Sequence, residues 1–350
     1  MSPRPYAAVC LLAGVALLGA CAGDSDQAPT SFVRADAEAV AEVAVALERL
    51  ASGDRVGAFA TLEAVVARHP ESYEAQLEYA RLAATSGSTA PALAAYQALF
   101  AADAPAGTAG PSDPSVARGL TRLALFLGQT EVAVEASASL TGPGATAADL
   151  ALAARAAFES GEPAAAKLHA EAAVAADPRD AEAHHQLALA LLELPGAAED
   201  ATQTAEAQAS LRKAIQEDPG RIEARFLLGT LMLQADDVVR GERLLEVTDL
   251  VRELDTPGFQ ALDPRTRIRR ARTIAEEVPA WSRPLLEVAR AQLALGQPAK
   301  ADETLAEAMQ LKPKTLELYK LRYAAAIARN DPKAQKNWLE RWTDKRSQDE

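Results

Sequence analysis

Cysteine is nearly absent from this chain: 350 residues contain two, Cys10 and Cys21, both at the extreme N-terminus. Nothing beyond them can build a disulfide framework or a thiolate metal site. Aromatic residues are scarce at 5%, so the 49% apolar content is carried largely by alanine. Alanine is the best helix former, and its small side chain lets helices approach closely. An all-helical, closely stacked protein is therefore expected. Basic residues are in deficit, 36 against 49 acidic, and the formal charge of -13 repels phosphate backbones, so nucleic acid is not expected as a partner.

Catalytic signatures are missing as well. The sequence has no HExxH, GxSxG, P-loop or dinucleotide fingerprint. Its four histidines are His69, His169, His184 and His185. The adjacent pair diverges on a helix instead of meeting at i, i+4. No enzyme activity, cofactor, metal or small-molecule substrate is expected.

What is present begins at the N-terminus. Arg4 precedes an apolar stretch from Ala7 to Ala20, too short to span a bilayer comfortably, which takes roughly 20 apolar residues. It suits the core of a signal peptide. The stretch ends Leu18-Gly19-Ala20-Cys21, which resembles the lipobox of bacterial lipoproteins. That resemblance implies cleavage after Ala20 and lipidation of Cys21, and Ala22 at the second mature position implies release to the outer membrane. Several acyl chains at about 0.8 kcal/mol per buried CH2 would anchor the chain stably. An ordinary cleaved signal peptide is the alternative. Ala22 to Ser31 is small and polar, as a flexible tether would be, and ten such residues reach at most about 35 Å.

The body repeats. Ala166, Ala170, Ala173 and Pro178 recur in spacing as Ala207, Leu211, Ala214, Pro219 and as Ala301, Leu305, Ala308, Pro313. The small and apolar residues make a stripe on one helix face, and the proline ends that helix. Upstream apolar helices end near Gly87, Gly128, Gly161 and Gly296. This helix-turn-helix unit of about 34 residues resembles the tetratricopeptide (TPR) repeat. The resemblance implies an all-α fold, a right-handed superhelical α-solenoid of TPR helix-turn-helix repeats in which neighbours complete one another's core.

The implied organisation is a signal peptide at 1–20, a lipidated tether at 21–35, solenoid at 36–250, an irregular or extra-helix segment at 251–281, closing repeats and a cap at 282–342, and a tail at 343–350. The family's early tryptophan and its Leu-Gly pair are mostly missing, Leu228-Gly229 being the best surviving pair.

Two arginine patterns stand out. Counted from each unit start, position nine is Arg81, Arg122, Arg155 and Arg290. In the family this position faces the concave groove, which implies a cationic ladder for capturing carboxylates or phosphates. The alternative is pairing with glutamates such as Glu78 or Glu159. The second pattern is Arg265, Arg267, Arg269, Arg270 and Arg272, an anion-binding face or a solvated one balanced by Glu276 and Glu277. The combined expectation is a membrane-anchored scaffold or adaptor, lipid-anchored in the cell envelope and facing the periplasm. It would bind a protein partner and assist an envelope, secretion or export complex. Recognition of an anionic glycan or cell-wall polymer is the alternative.

Overall fold

The computed structural model describes residues 31–102, 113–196, 200–311 and 315–349, with side chains up to 343. The expected signal peptide, Cys21 and most of the tether lie outside the described residues. Among the described residues, no helix is long and apolar enough to cross a membrane.

The described chain folds into eighteen α-helices. The first three pairs are α1 (Ala37–Ala51) with α2 (Arg55–Arg68), α3 (Tyr73–Ser86) with α4 (Thr89–Ala102), and α5 (Pro114–Phe126) with α6 (Thr130–Ala138). Next come α7 (Ala147–Glu159) with α8 (Pro163–Ala176), α9 (Ala181–Glu193) with α10 (Ala201–Glu217), and α11 (Ile222–Gln234) with α12 (Val238–Glu253). A short α13 (Pro257–Ala261) and α14 (Pro264–Glu277) follow, before α15 (Arg283–Ala294) with α16 (Pro298–Gln310) and α17 (Leu316–Ala328) with α18 (Pro332–Asp349). Each second helix packs on its own first helix and on the first helix of the next pair, except at α12, where α14 takes over the contact with α15.

The fold is thus all-α, a solenoid of tetratricopeptide-type helix pairs. The alanine stripes account for its closeness: Ala166, Ala170 and Ala173 are fully buried, as are Ala207, Leu211 and Ala214, and Ala301, Leu305 and Ala308. Helix ends follow local chemistry. Asp36, Ser72, Asp113, Asp180, Asp200 and Thr315 cap helix N-termini with their side chains, and Thr146 with Asp149 forms a reciprocal capping box on α7. Within pairs the chain reverses through a left-handed residue, such as Gly161 at φ 80°. Asp236 (φ 60°) and Asn330 (φ 54°) take that place in the α11–α12 and α17–α18 turns.

First helices of neighbouring pairs touch along most of the stack, α1 on α3, α3 on α5, α5 on α7, α7 on α9 and α15 on α17, though α9 and α11 do not pack comparably; no second helices of neighbouring pairs do so among the described residues. Closer spacing on one side bends a stack toward that side. The first helices therefore form the inner face.

Residues 251–281 contain the end of α12, then α13 and α14. Phe259 is buried with Leu254, Ala271, Ile274 and Val288 in a core of their own. Helix α14 consequently packs against α15 in the role a second helix fills elsewhere, and the regular pairing resumes beyond it.

Candidate functional site

Arg81, Arg122, Arg155 and Arg290 sit on the first helices α3, α5, α7 and α15. On α7, Asp149, Ala153, Ala156 and Ala157 are buried, whereas Ala148, Arg155 and Glu159 form an exposed stripe. That stripe belongs to the inner face. The four arginines do not make one free cationic row. Arg81 pairs with Glu78 at 2.5 Å within its helix, and Arg290 is held by both Glu287 and, at 2.8 Å, Glu317. Arg122 and Arg155 are exposed and make no ion pair among the described residues, so Glu159 does not neutralise Arg155.

Arg155 opens onto a continuous groove. A cavity of about 520 Å³ is lined by Arg155, Phe158, Glu182, His185, Gln186, Leu189 and Arg221, among others. It adjoins a larger one of about 1060 Å³ that reaches Trp281, Leu286, Glu287, Arg290 and Glu317. Glu182, Asp218 and Arg221 border both. The larger cavity forms where the turns entering α9, α11, α15 and α17 lie along one edge of the stack. Carboxylates outnumber arginines seven to four in the larger part and five to two in the smaller. Helix N-termini opening there offset part of that negative charge.

Arg221, which the sequence did not single out, organises the junction. Its Nη1 donates to Glu182 Oε2 at 2.5 Å, while Gln186 Nε2 donates to Glu182 Oε1 at 2.7 Å. Burial pushes the Glu182 carboxyl up, but the Arg221 charge and these hydrogen bonds outweigh it, so its pKa lies below the ordinary carboxylate range. Burial pushes His185 down against the pull of Glu182, and Arg221 and Arg155 add to the depression. The His185 ring is thus neutral at neutral pH.

Several buried polar atoms along this groove have no hydrogen-bond partner: His185 Nδ1, Gln186 Oε1, Arg221 Nε and Glu287 Oε2. His185 and Glu287 are 8% and 4% exposed. Buried groups of this kind are normally satisfied, and leaving one unpaired costs about 1–3 kcal/mol. These atoms lie beneath the groove's surface, where they leave its wall less tightly bonded than the helix stack around it.

The arginine run of α14 divides into two sets. Arg270 makes a two-point contact with Glu253 at 3.0 Å, and Arg267 donates to the carbonyls of Gln260 and Leu262. Both tie α14 to the preceding segment. Arg265, Arg269 and Arg272 lie one turn apart on an exposed face and make no ion pair among the described residues. Neither expected balancing glutamate serves them: Glu277 pairs with Arg243 at 2.5 Å, and Glu276 makes no ion pair among the described residues.

Two groups around His69, Asp36 with Glu71 and Glu38 with Glu42, bring ligand atoms within 4.8 Å of one another. Asp36 is already engaged in capping α1, and Glu42 in pairing with Arg68. This is a cluster of partly exposed side chains with structural duties.

Residues 198–262 match the tetratricopeptide repeat family model. No curated protein matches the sequence. Among solved structures, the chain is similar to a tetratricopeptide repeat protein from Parabacteroides merdae, with 13% identity, a TM-score of 0.48, and coverage of 83% of this chain and 99% of that one. It is also similar to YrrB, described as a TPR protein with an unusual peptide-binding site, at 15% identity and TM-score 0.40 over 54% of this chain and 91% of YrrB. A MamA fragment from Desulfovibrio magneticus aligns at 18% identity and TM-score 0.34, over 63% of this chain and 98% of the fragment. These likenesses concern the repeated helix-pair arrangement alone.

Proposed function

We propose that this protein is a membrane-anchored scaffold that holds an extended segment of a protein partner along its inner face, from Arg155 across the Glu182–Arg221 junction to Arg290. The observation that carries this reading is the open groove itself, whose two parts share Glu182, Asp218 and Arg221 and whose one end holds the exposed, unpaired Arg155. A peptide main chain offers alternating donors and acceptors to the charged and amide side chains that line this groove. Phe158, Leu189, Trp281 and Leu286 give its side chains apolar rests. At the Arg155 end the unpaired guanidinium takes a carboxylate of the segment, whereas the carboxylates that predominate toward Arg290 favour Lys or Arg there. Arg122 and Arg81 extend the inner face beyond the groove.

Anchoring rests on the lipobox-like residues Leu18 to Cys21. Attached lipid at Cys21 places the solenoid at a membrane of the cell envelope, facing the periplasm from the outer membrane, where it assists assembly or stability of an envelope, secretion or export complex. Cys21→Ser should move the protein from the membrane pellet to the soluble fraction; a variant that still pellets removes the anchor. For the groove, Arg155→Glu combined with Gln186→Ala should abolish recovery of the native partner in a pull-down, and undiminished recovery contradicts the groove.

A second reading draws on the exposed, unpaired Arg265, Arg269 and Arg272: recognition of an anionic glycan or cell-wall polymer by α14. Its support is that three cations on one helix face lack carboxylate partners among the described residues. Retention on an anionic polysaccharide column, lost when the three become glutamine, is the result it requires.

A further inference from the structure

Away from the inner groove, a second cavity of about 470 Å³ opens between α10, α11 and α12. Its walls are apolar: Ile215 from α10, Leu228 and Met232 from α11, and Leu244 and Val247 from α12. Val239, 80% exposed, stands at its lip. At the foot of this apolar groove lies a cation. Arg225 is 7% exposed, and its Nε donates to the Pro219 carbonyl at 2.8 Å. No carboxylate pairs with it among the described residues. Glu223, two residues before it in sequence, makes no ion pair with it, and Asp218 accepts from the Gly220 amide and lies 3.8 Å from Arg221.

A buried charge without a counter-charge is costly and is normally paired or absent. Burial holds the Arg225 pKa below its ordinary value, with only a distant pull from Asp218 in the other direction. The other arginines lining the groove are better served: Arg243 has Glu277 and Glu246, and Arg240 has Asp237 at 3.4 Å. Arg212 has a hydrogen bond to Gln208. Arg225 alone among them combines near-complete burial with the lack of an ion pair.

We propose that this groove is a second docking site, taking an amphipathic helix of a protein partner whose apolar face covers Ile215, Leu228, Met232 and Val247 and whose carboxylate side chain pairs with Arg225. The charge complementarity is specific, since a guanidinium in an apolar setting binds a planar carboxylate through two parallel hydrogen bonds. The groove is open along one side, so it buries one face of an occupant, as an amphipathic helix requires, and does not surround an acyl chain. The site does not depend on the inner groove.

The test uses the full chain and a labelled 15-residue amphipathic helical peptide with Leu and Val on one face and one central Glu at its border. Fluorescence anisotropy should show saturable binding, weakened about tenfold or more when the peptide Glu becomes Gln or when Arg225 becomes Met. Arg225→Met should meanwhile raise the melting temperature of the free protein, because it removes the uncompensated charge and keeps the volume. The double variant Arg155→Glu, Gln186→Ala should bind the peptide as the wild type does. Equal binding of the Glu and Gln peptides, binding unchanged in Arg225→Met, or no binding of either peptide overturns the proposal. So does palmitate binding that is lost in Arg225→Met while the peptide fails, since it assigns the groove to a lipid.

Discussion

The indole of Trp281 lies directly on Gly220: a methyl group added at residue 220 would meet Trp281 ring atoms at 2.6 Å. This contact joins the turn entering α11 to the turn entering α15, across the inserted α13 and α14. It also sets the floor of the inner groove, which both residues border. Gly220→Ala should therefore displace the indole, lowering stability by about 1–3 kcal/mol as overpacking does. Urea unfolding followed by tryptophan fluorescence reads both effects, and the same variant should weaken partner capture.

A stability prediction follows from Arg118 and Asp149, which join α5 to α7 through contacts at 2.5 and 2.9 Å. Asp149 also closes the capping box with Thr146. Burial pushes its carboxyl up, but hydrogen bonds from Arg118 and Thr146 prevail and the folded pKa lies below the ordinary value. Asp149→Ala should cost about 3 kcal/mol, since it strands the Arg118 charge. The pair's contribution is present above the unfolded aspartate pKa of about 3.9 and is lost as pH falls through the lower folded value. Acid titration of the unfolding midpoint, wild type against Asp149→Ala, checks the direction.

His185 adds an effect at milder acidity. Its folded pKa is depressed by burial against Glu182 and Glu223, with Arg221 and Arg155 contributing to the depression. The unfolded chain therefore takes up this proton first, and stability present above about pH 6.5 is lost as pH falls toward the folded value. Melting temperatures between pH 7 and pH 5 should fall less steeply in His185→Gln. Parallel curves would mean that the ring is protonated as easily folded as unfolded.

The arginines of α14 should separate by role. Arg267→Gln with Arg270→Gln should lower the melting temperature, because these side chains hold Gln260, Leu262 and Glu253. Arg265→Gln, Arg269→Gln and Arg272→Gln together should leave the melting temperature unchanged and reduce retention on an anionic matrix. A matched loss of stability in both sets would show that the exposed face is structural too.

The fold was legible because the helix stripes are written in residue size and spacing. Ala58, Leu62 and Val65 recur at the same intervals as Ala166, Ala170 and Ala173, and all six are buried. Gly87, Gly128, Gly161 and Gly296 all turn with positive φ, a need that only local backbone sterics impose. The groove was less legible. Spacing placed Arg155 and Arg290 on first helices, but it could not reveal that Glu287 and Glu317 occupy Arg290 while Arg155 stands unpaired. Arg221 lies in a turn outside every stripe, and its partner Glu182 is 39 residues away. The buried state of Arg225 was equally hidden, since a charged residue in a degenerate repeat reads as surface until its neighbours are placed.

The central claim is that a partner segment lies in the groove between Arg155 and Arg290. The most direct measurement is photo-crosslinking in intact native cells, with a photoreactive residue replacing Glu159 at the groove's edge or Leu168 on α8, 67% exposed, as a control. The account predicts one dominant protein adduct from position 159 and none of that mass from position 168. No protein adduct from 159, or the same adduct from both positions, would contradict it.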